Sequence, residues 1–77
     1  MLGKNLFEAV KRIHKHLTDI EREYTRKGIY NKIRSDWGYA FYTGKLVAYI
    51  FILKTLKYKM NPTKDLEQRL LNLGIEI

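Results

Sequence analysis

Histidine is the commonest general base and the commonest metal ligand, and this sequence holds two, His14 and His16. Two positions apart on a helix, their side chains point about 160–200° away from each other, so they cannot share a metal ion. No motif places a nucleophile beside either one. The plain alternative, a pair of solvated or rim histidines, is the reading adopted.

The carboxylates are Glu8, Asp19, Glu21, Glu23, Asp36, Asp65, Glu67 and Glu76. Most fall on helix exteriors or near helix starts, where acids are favoured. None forms a pair with aromatic flanks of the kind that general acid–base work needs. The glycines compose no phosphate-cradling loop, and the absence of cysteine removes disulfides and thiolate metal sites. The expectation is a protein that is not an enzyme and uses no cofactor, no metal and no small-molecule substrate.

The cations carry more information. Fifteen Lys and Arg against eight acids leave a formal charge of +7. The excess is concentrated early: residues 1–34 hold nine cations and four acids, whereas residues 61–77 hold two and three. Lys4, Lys11, Lys15, Arg22 and Arg26 recur at intervals of 7, 4, 7 and 4. On a helix that spacing sets charges about 6–10 Å apart along one line, a stripe able to track a phosphate backbone. The plain alternative is a solvated face, which Glu8 and Asp19 interrupt. A second group, Lys54, Lys57 and Lys59 around Tyr58, would meet the start of this stripe if two helices pair antiparallel. Arg22, Arg26, Lys27, Lys32 and Arg34 would form a further patch at the opposite end. Nucleic acid or an acidic protein is the partner such charge selects. Lys11, Lys15, Arg22, Arg26, Lys54 and Lys57 are the residues expected to bind it.

These groups need elements to hold them. Leu6, Val10, Ile13, Leu17, Ile20 and Tyr24 repeat every three or four residues, the seam of a bundle helix. Gly28 fits the left-handed residue after its end, with Ile29 folding back on Tyr24. Residues 28–35 read as a connector anchored by Ile29, Tyr30 and Ile33, with Ser35 as cap of the next helix. Over 36–60 two patterns compete. Tyr39, Tyr42, Leu46, Tyr49, Leu53, Leu56 and Met60 keep helical spacing. Trp37, Tyr39 and Phe41 alternate like a strand, and Thr43-Gly44 could turn a hairpin. The longer run favours a helix. A short last helix is expected with Asn61 as cap, Pro62 at its first position and Gly74 as its stop, lined by Leu66, Leu70 and Leu73. Ile75 and Ile77 are expected to close the core.

The predicted architecture is therefore all-α: one domain over 1–77, a three-helix bundle of two long antiparallel helices and a short third. The alternative is an α+β fold with a β-hairpin in 36–60. Trp37, Ala40, Gly44, Val47 and Phe51 fall on the side of the second helix away from its seam, which makes them a predicted homodimer interface. The longest apolar run, Leu46 to Leu53, is short of the roughly 18 residues of a membrane span. No membrane partner is expected, and a cytoplasmic location is, since no signal peptide is visible. The aromatics Trp37, Tyr39, Phe41 and Tyr42 could stack on bases or on a protein partner; packing in the core is their plain alternative. The bias toward Lys, Ile, Asn and Tyr suggests an AT-rich genome, and with it a phage or mobile element. The functional expectation is a small basic regulatory protein engaging nucleic acid or a nucleoprotein complex. The alternative is an inhibitor or adaptor that docks on an acidic protein.

Overall fold

A computed structural model describes residues 1–76. Every regular element in it is helical: α1 (Leu2–Arg26), a 3-10 helix (Tyr30–Ser35), α2 (Trp37–Thr55) and α3 (Lys64–Asn72). No strand occurs among the described residues, so the hairpin alternative for 36–60 is wrong. Gly44 lies inside α2, where the i→i+4 ladder and a long apolar surface outweigh the local turn preference of Thr-Gly.

α1 and α2 pack antiparallel. Glu21 of α1 meets Tyr39 early in α2, His16 stacks on Tyr42, and Phe7 meets Tyr58 just past the end of α2. The core takes Phe7, Val10, Ile13 and Leu17 from α1, Leu46, Ile50 and Leu53 from α2, and Leu66 and Leu70 from α3. The seam of α1 is rotated slightly from expectation, with Phe7 buried and Leu6 only half-buried. In α2 Ile50 is buried and Leu56 is exposed. Because α2 is apolar all round, spacing alone does not tell its inner face from its outer one.

Asp36, not Ser35, caps α2. Its carboxylate accepts the Tyr39 amide at 2.8 Å and the Tyr24 hydroxyl at 2.8 Å. The hydrogen bond from Tyr24, then that from the Tyr39 amide, holds the Asp36 carboxyl below its ordinary value. α3 starts at Lys64 behind an extended Thr63, and neither Asn61 nor Pro62 is helical. Proline favours extended backbone in the residue before it, and here the helix starts two residues later than expected, with Thr63 in the cap position.

All three α-helices end in the same way. The amide of Ile29 donates to the Tyr24 carbonyl, that of Tyr58 to Leu53 and that of Ile75 to Leu70, each at 2.9–3.0 Å. Each closure needs a left-handed residue: Gly28, Lys57 and Gly74, at φ 72°, 56° and 79°. Gly28 and Gly74 stop their helices as expected. Lys57 ends α2 five residues before Met60, which sequence spacing had placed in the helix. The cap turns Tyr58 inward, where its ring lies against Gly3 and Phe7; a Cβ on Gly3 would stand 2.6 Å from that ring. Burying this tyrosine outweighs a left-handed lysine's cost of about 1–2 kcal/mol. Lys57→Gly is expected to raise stability by about 0.5–1 kcal/mol, since glycine relieves the strain but frees the unfolded chain. Urea unfolding checks this; a less stable variant would mean that the lysine side chain itself holds the cap.

Candidate functional site

α3 reaches α1 through a polar network that the sequence did not reveal. Arg69 is its centre. Its Nη1 and Nη2 donate to the two oxygens of Glu21 at 2.8 and 2.7 Å, and Nη2 also reaches the Thr18 hydroxyl at 3.2 Å. Its Nε donates to His14 Nδ1 at 2.8 Å, while His14 Nε2 lies 3.0 Å from Asp65 Oδ2. Tyr39 of α2 donates its hydroxyl to Glu21 at 2.6 Å. Three helices thus meet at one carboxylate.

These contacts set the state of the histidine. An Nδ1 that accepts from Arg69 cannot carry a proton, so the proton sits on Nε2 and is donated to Asp65. Both ring nitrogens are engaged by protein groups. His14 is therefore not a solvated residue, as its sequence context suggested, but a buried bridge between α1 and α3. His16 is exposed and stacks on Tyr42 at 5.2 Å.

The charges respond accordingly. Burial alone would raise the Glu21 carboxyl, but hydrogen bonds from Arg69 and Tyr39 and the guanidinium charge outweigh it and hold it below its ordinary value. Burial, then the hydrogen bond to Glu21, pushes the Tyr39 hydroxyl up to about 12. Hydrogen bonds from His14 and Thr63 keep the Asp65 carboxyl well below the usual carboxylate range. A depression of about 470 Å³ opens beside the network, bordered by Tyr30, Gln68 and Asn72. No buried side-chain polar atom lacks a partner among the described residues. No group of three His, Cys, Asp or Glu able to hold a metal ion is found among them either.

The predicted binding cations do not converge on one patch. Lys11 pairs with Glu8 at 3.0 Å, Arg22 with Asp19 at 3.5 Å and Arg26 with Glu23 at 2.6 Å, all along α1 itself. Lys54 donates to the Glu76 carbonyl at 2.8 Å. Lys15 and Lys57 are exposed and have no carboxylate in ion-pair range among the described residues. Lys57 and Lys59 flank Tyr58, which packs against Gly3 and Phe7, so this group does meet the start of α1 beside Lys4. Lys11 joins it, its Nζ standing 5.4 Å from the centre of the Phe7 ring. Lys54, Lys57, Tyr58, Lys59 and Met60 border a shallow hollow of about 410 Å³ there. Arg22 and Arg26 lie toward the opposite end, near the connector.

The predicted interface residues do share one surface. Trp37, Ala40, Gly44, Val47 and Phe51 are all exposed, with Trp37 at 78% and Phe51 at 71%. Phe41, Ala48 and Ile52 extend the same face. Trp37 stacks on Phe41 at 5.3 Å. Tyr58 turns into the core. Tyr39 and Tyr42 also pack inward and are not free to anchor a partner. Ile75 closes the core; the matching expectation for Ile77 lies outside the described residues. No helix among those residues is long and apolar enough to cross a membrane. No protein-family model, curated protein or solved structure matches this chain.

Proposed function

We propose that the chain is a non-enzymatic, basic helical binding protein that engages nucleic acid or a nucleoprotein complex, with a dimer as its working form. One observation carries the first part. Six of the eight acids are committed internally: Glu8, Asp19, Glu21 and Glu23 to ion pairs, Asp65 to a hydrogen bond with His14, and Asp36 to a helix cap. The charge excess of +7 is left largely as unpaired surface Lys and Arg. Lys4, Lys57 and Lys59 are exposed and adjoin in the chain the packed Gly3 and Tyr58, which brings them to one end of the molecule. Lys15 adds to them along α1, while Lys11, Arg22 and Arg26 offer charge partly neutralised by their neighbours. The engaged ring nitrogens of His14 support a structural role for the one buried imidazole.

Binding to a duplex should weaken log-linearly with salt, by a slope of roughly 0.9 for each phosphate neutralised. Replacing Lys4, Lys57 and Lys59 together with glutamine is expected to flatten that slope by about 2–3. A wild-type affinity indifferent to salt would remove the nucleic-acid reading. Recovery of an acidic protein partner from nuclease-treated lysate, with no duplex binding at physiological salt, would replace it with the adaptor reading.

A further inference from the structure

The outer face of α2 is the least explained surface of the molecule. It runs directly opposite the buried Leu46, Ile50 and Leu53 and carries Trp37, Phe41 and Phe51 into water. With their neighbours these rings offer an apolar area of about 600 Å². That is the upper end of the largest apolar patch a monomer ordinarily carries, and such patches are often functional. Doubled across a two-fold axis, it reaches the lower bound of a specific interface, about 1,200 Å² in all.

The face carries no charge. Lys45 and Lys54 stand on its two flanks, about 90° to either side of its midline. Lys45 is drawn over the Phe41 and Tyr49 rings, at 5.8 and 5.7 Å. Lys54 is drawn toward Glu76. An acidic occupant would therefore gain nothing along the strip itself. A second copy of this chain would bring no like charge into it.

The strip also has an internal symmetry of size. Counting outward from the bond between Val47 and Ala48, Gly44 on one side matches Phe51 on the other. One turn further, Ala40 matches Thr55. Each match sets a small residue against a larger one, and nothing lies within 4 Å of the position a Gly44 Cβ would take. The geometry points to a two-fold antiparallel pairing of α2 with α2 of a second copy, in which Phe51 of each chain seats on Gly44 of the other. It rests on the dimeric working form proposed above and adds the face, the direction and the register. Glycine at 44 lets the two backbones approach closely enough for the ring to cover main chain. Phe41 then meets Ile52 of the second copy on the same side of the pair, and Trp37 reaches that copy's last turn.

The chain has no cysteine of its own, which makes crosslinking clean. Two single variants, Ala40→Cys and Thr55→Cys, are prepared separately and also refolded as a mixture, then oxidised and run without reductant. Sedimentation equilibrium of wild type and both variants over roughly 10–100 µM accompanies this, a range in which weak dimers form. In the antiparallel register positions 40 and 55 of different copies are neighbours. Two residues 55 stand about 22 Å apart along the axis, too far for a disulfide. The expected result is a dimer in solution that crosslinks in the mixture and not in either variant alone. Phe51→Lys should weaken association by about tenfold or more. A wild type monomeric throughout that range overturns the dimeric form and the register together. A dimer in which Thr55→Cys crosslinks to itself, or in which no combination crosslinks, overturns the register and leaves the dimer standing.

Discussion

Leu17→Ala is expected to lower the stability of the chain by about 2–5 kcal/mol, the range for truncating a buried leucine. Leu17 is 0% exposed at the middle of α1, in the cluster that also holds residues of α2 and α3. The truncation leaves a cavity in the core that the three helices share. At about 0.05–0.15 kcal/mol per residue a chain of this length has a total stability of about 4–12 kcal/mol, so the loss is a large share of the whole. Thermal or urea unfolding followed by circular dichroism reads it directly. An unchanged midpoint would show that the α1 seam does not face a core.

The second large effect concerns Arg69. Arg69→Met is expected to cost about 2–4 kcal/mol near neutral pH. The side chains of Arg69 and Glu21 are only 12% and 25% exposed. The variant strips Glu21 of two charge-assisted hydrogen bonds and leaves His14 Nδ1 without its donor. Removing one partner of a buried pair costs about 3–5 kcal/mol, and partial exposure of this pair trims that figure. The pH dependence has a definite sign. In wild type the Glu21 carboxyl is held below its ordinary value. It therefore contributes stability above the unfolded carboxyl range near 4.3, and that contribution fades as pH falls. In Arg69→Met the Tyr39 hydrogen bond remains but the guanidinium is gone, so burial weighs more heavily on the carboxylate at neutral pH, and protonation relieves it. The gap between variant and wild type should shrink on going from about pH 7 to about pH 3.5. A gap that stays constant would mean that the loss comes from packing of the arginine stem. Adding Glu21→Leu to Arg69→Met should recover part of the loss at neutral pH, because no buried charge then remains unpaired.

Residues that act within one helix were the readable ones. The 3–4 recurrence of Val10, Ile13 and Leu17 and the stop at Gly28 state the local physics of a helix and its end, and both stand. The Lys57 cap escaped notice because a left-handed residue is ordinarily glycine, and nothing local marks a lysine for that role. The inner face of α2 was ambiguous for a different reason. With apolar residues on both sides, Ile50 and Leu56 are equal candidates until α1 and α3 choose between them. The network of His14, Asp65, Arg69 and Glu21 was invisible because its members lie 48–55 residues apart. Periodicity says which side of a helix a residue occupies, not which other helix will lie against that side. The unpaired status of Lys15 and Lys57 was likewise unreadable from charge counts, since it depends on which acids other groups have already taken.

α1 and α2 meet in nested fashion around a short connector, from Tyr24 with Asp36, 12 residues apart, out to Phe7 with Tyr58. The polar ties of α3 span more of the chain. Those to α1 run through His14 and Glu21, 48 residues or more away in the chain. Closing a loop costs more entropy as it lengthens, and contacts near the connector close the shortest loops. The hairpin of α1 and α2 can therefore zip outward from Asp36 before α3 is in place, and α3 is expected to dock after it. On that order the paired long helices present an open apolar seam, which α3 covers with Leu66 and Leu70 when it docks.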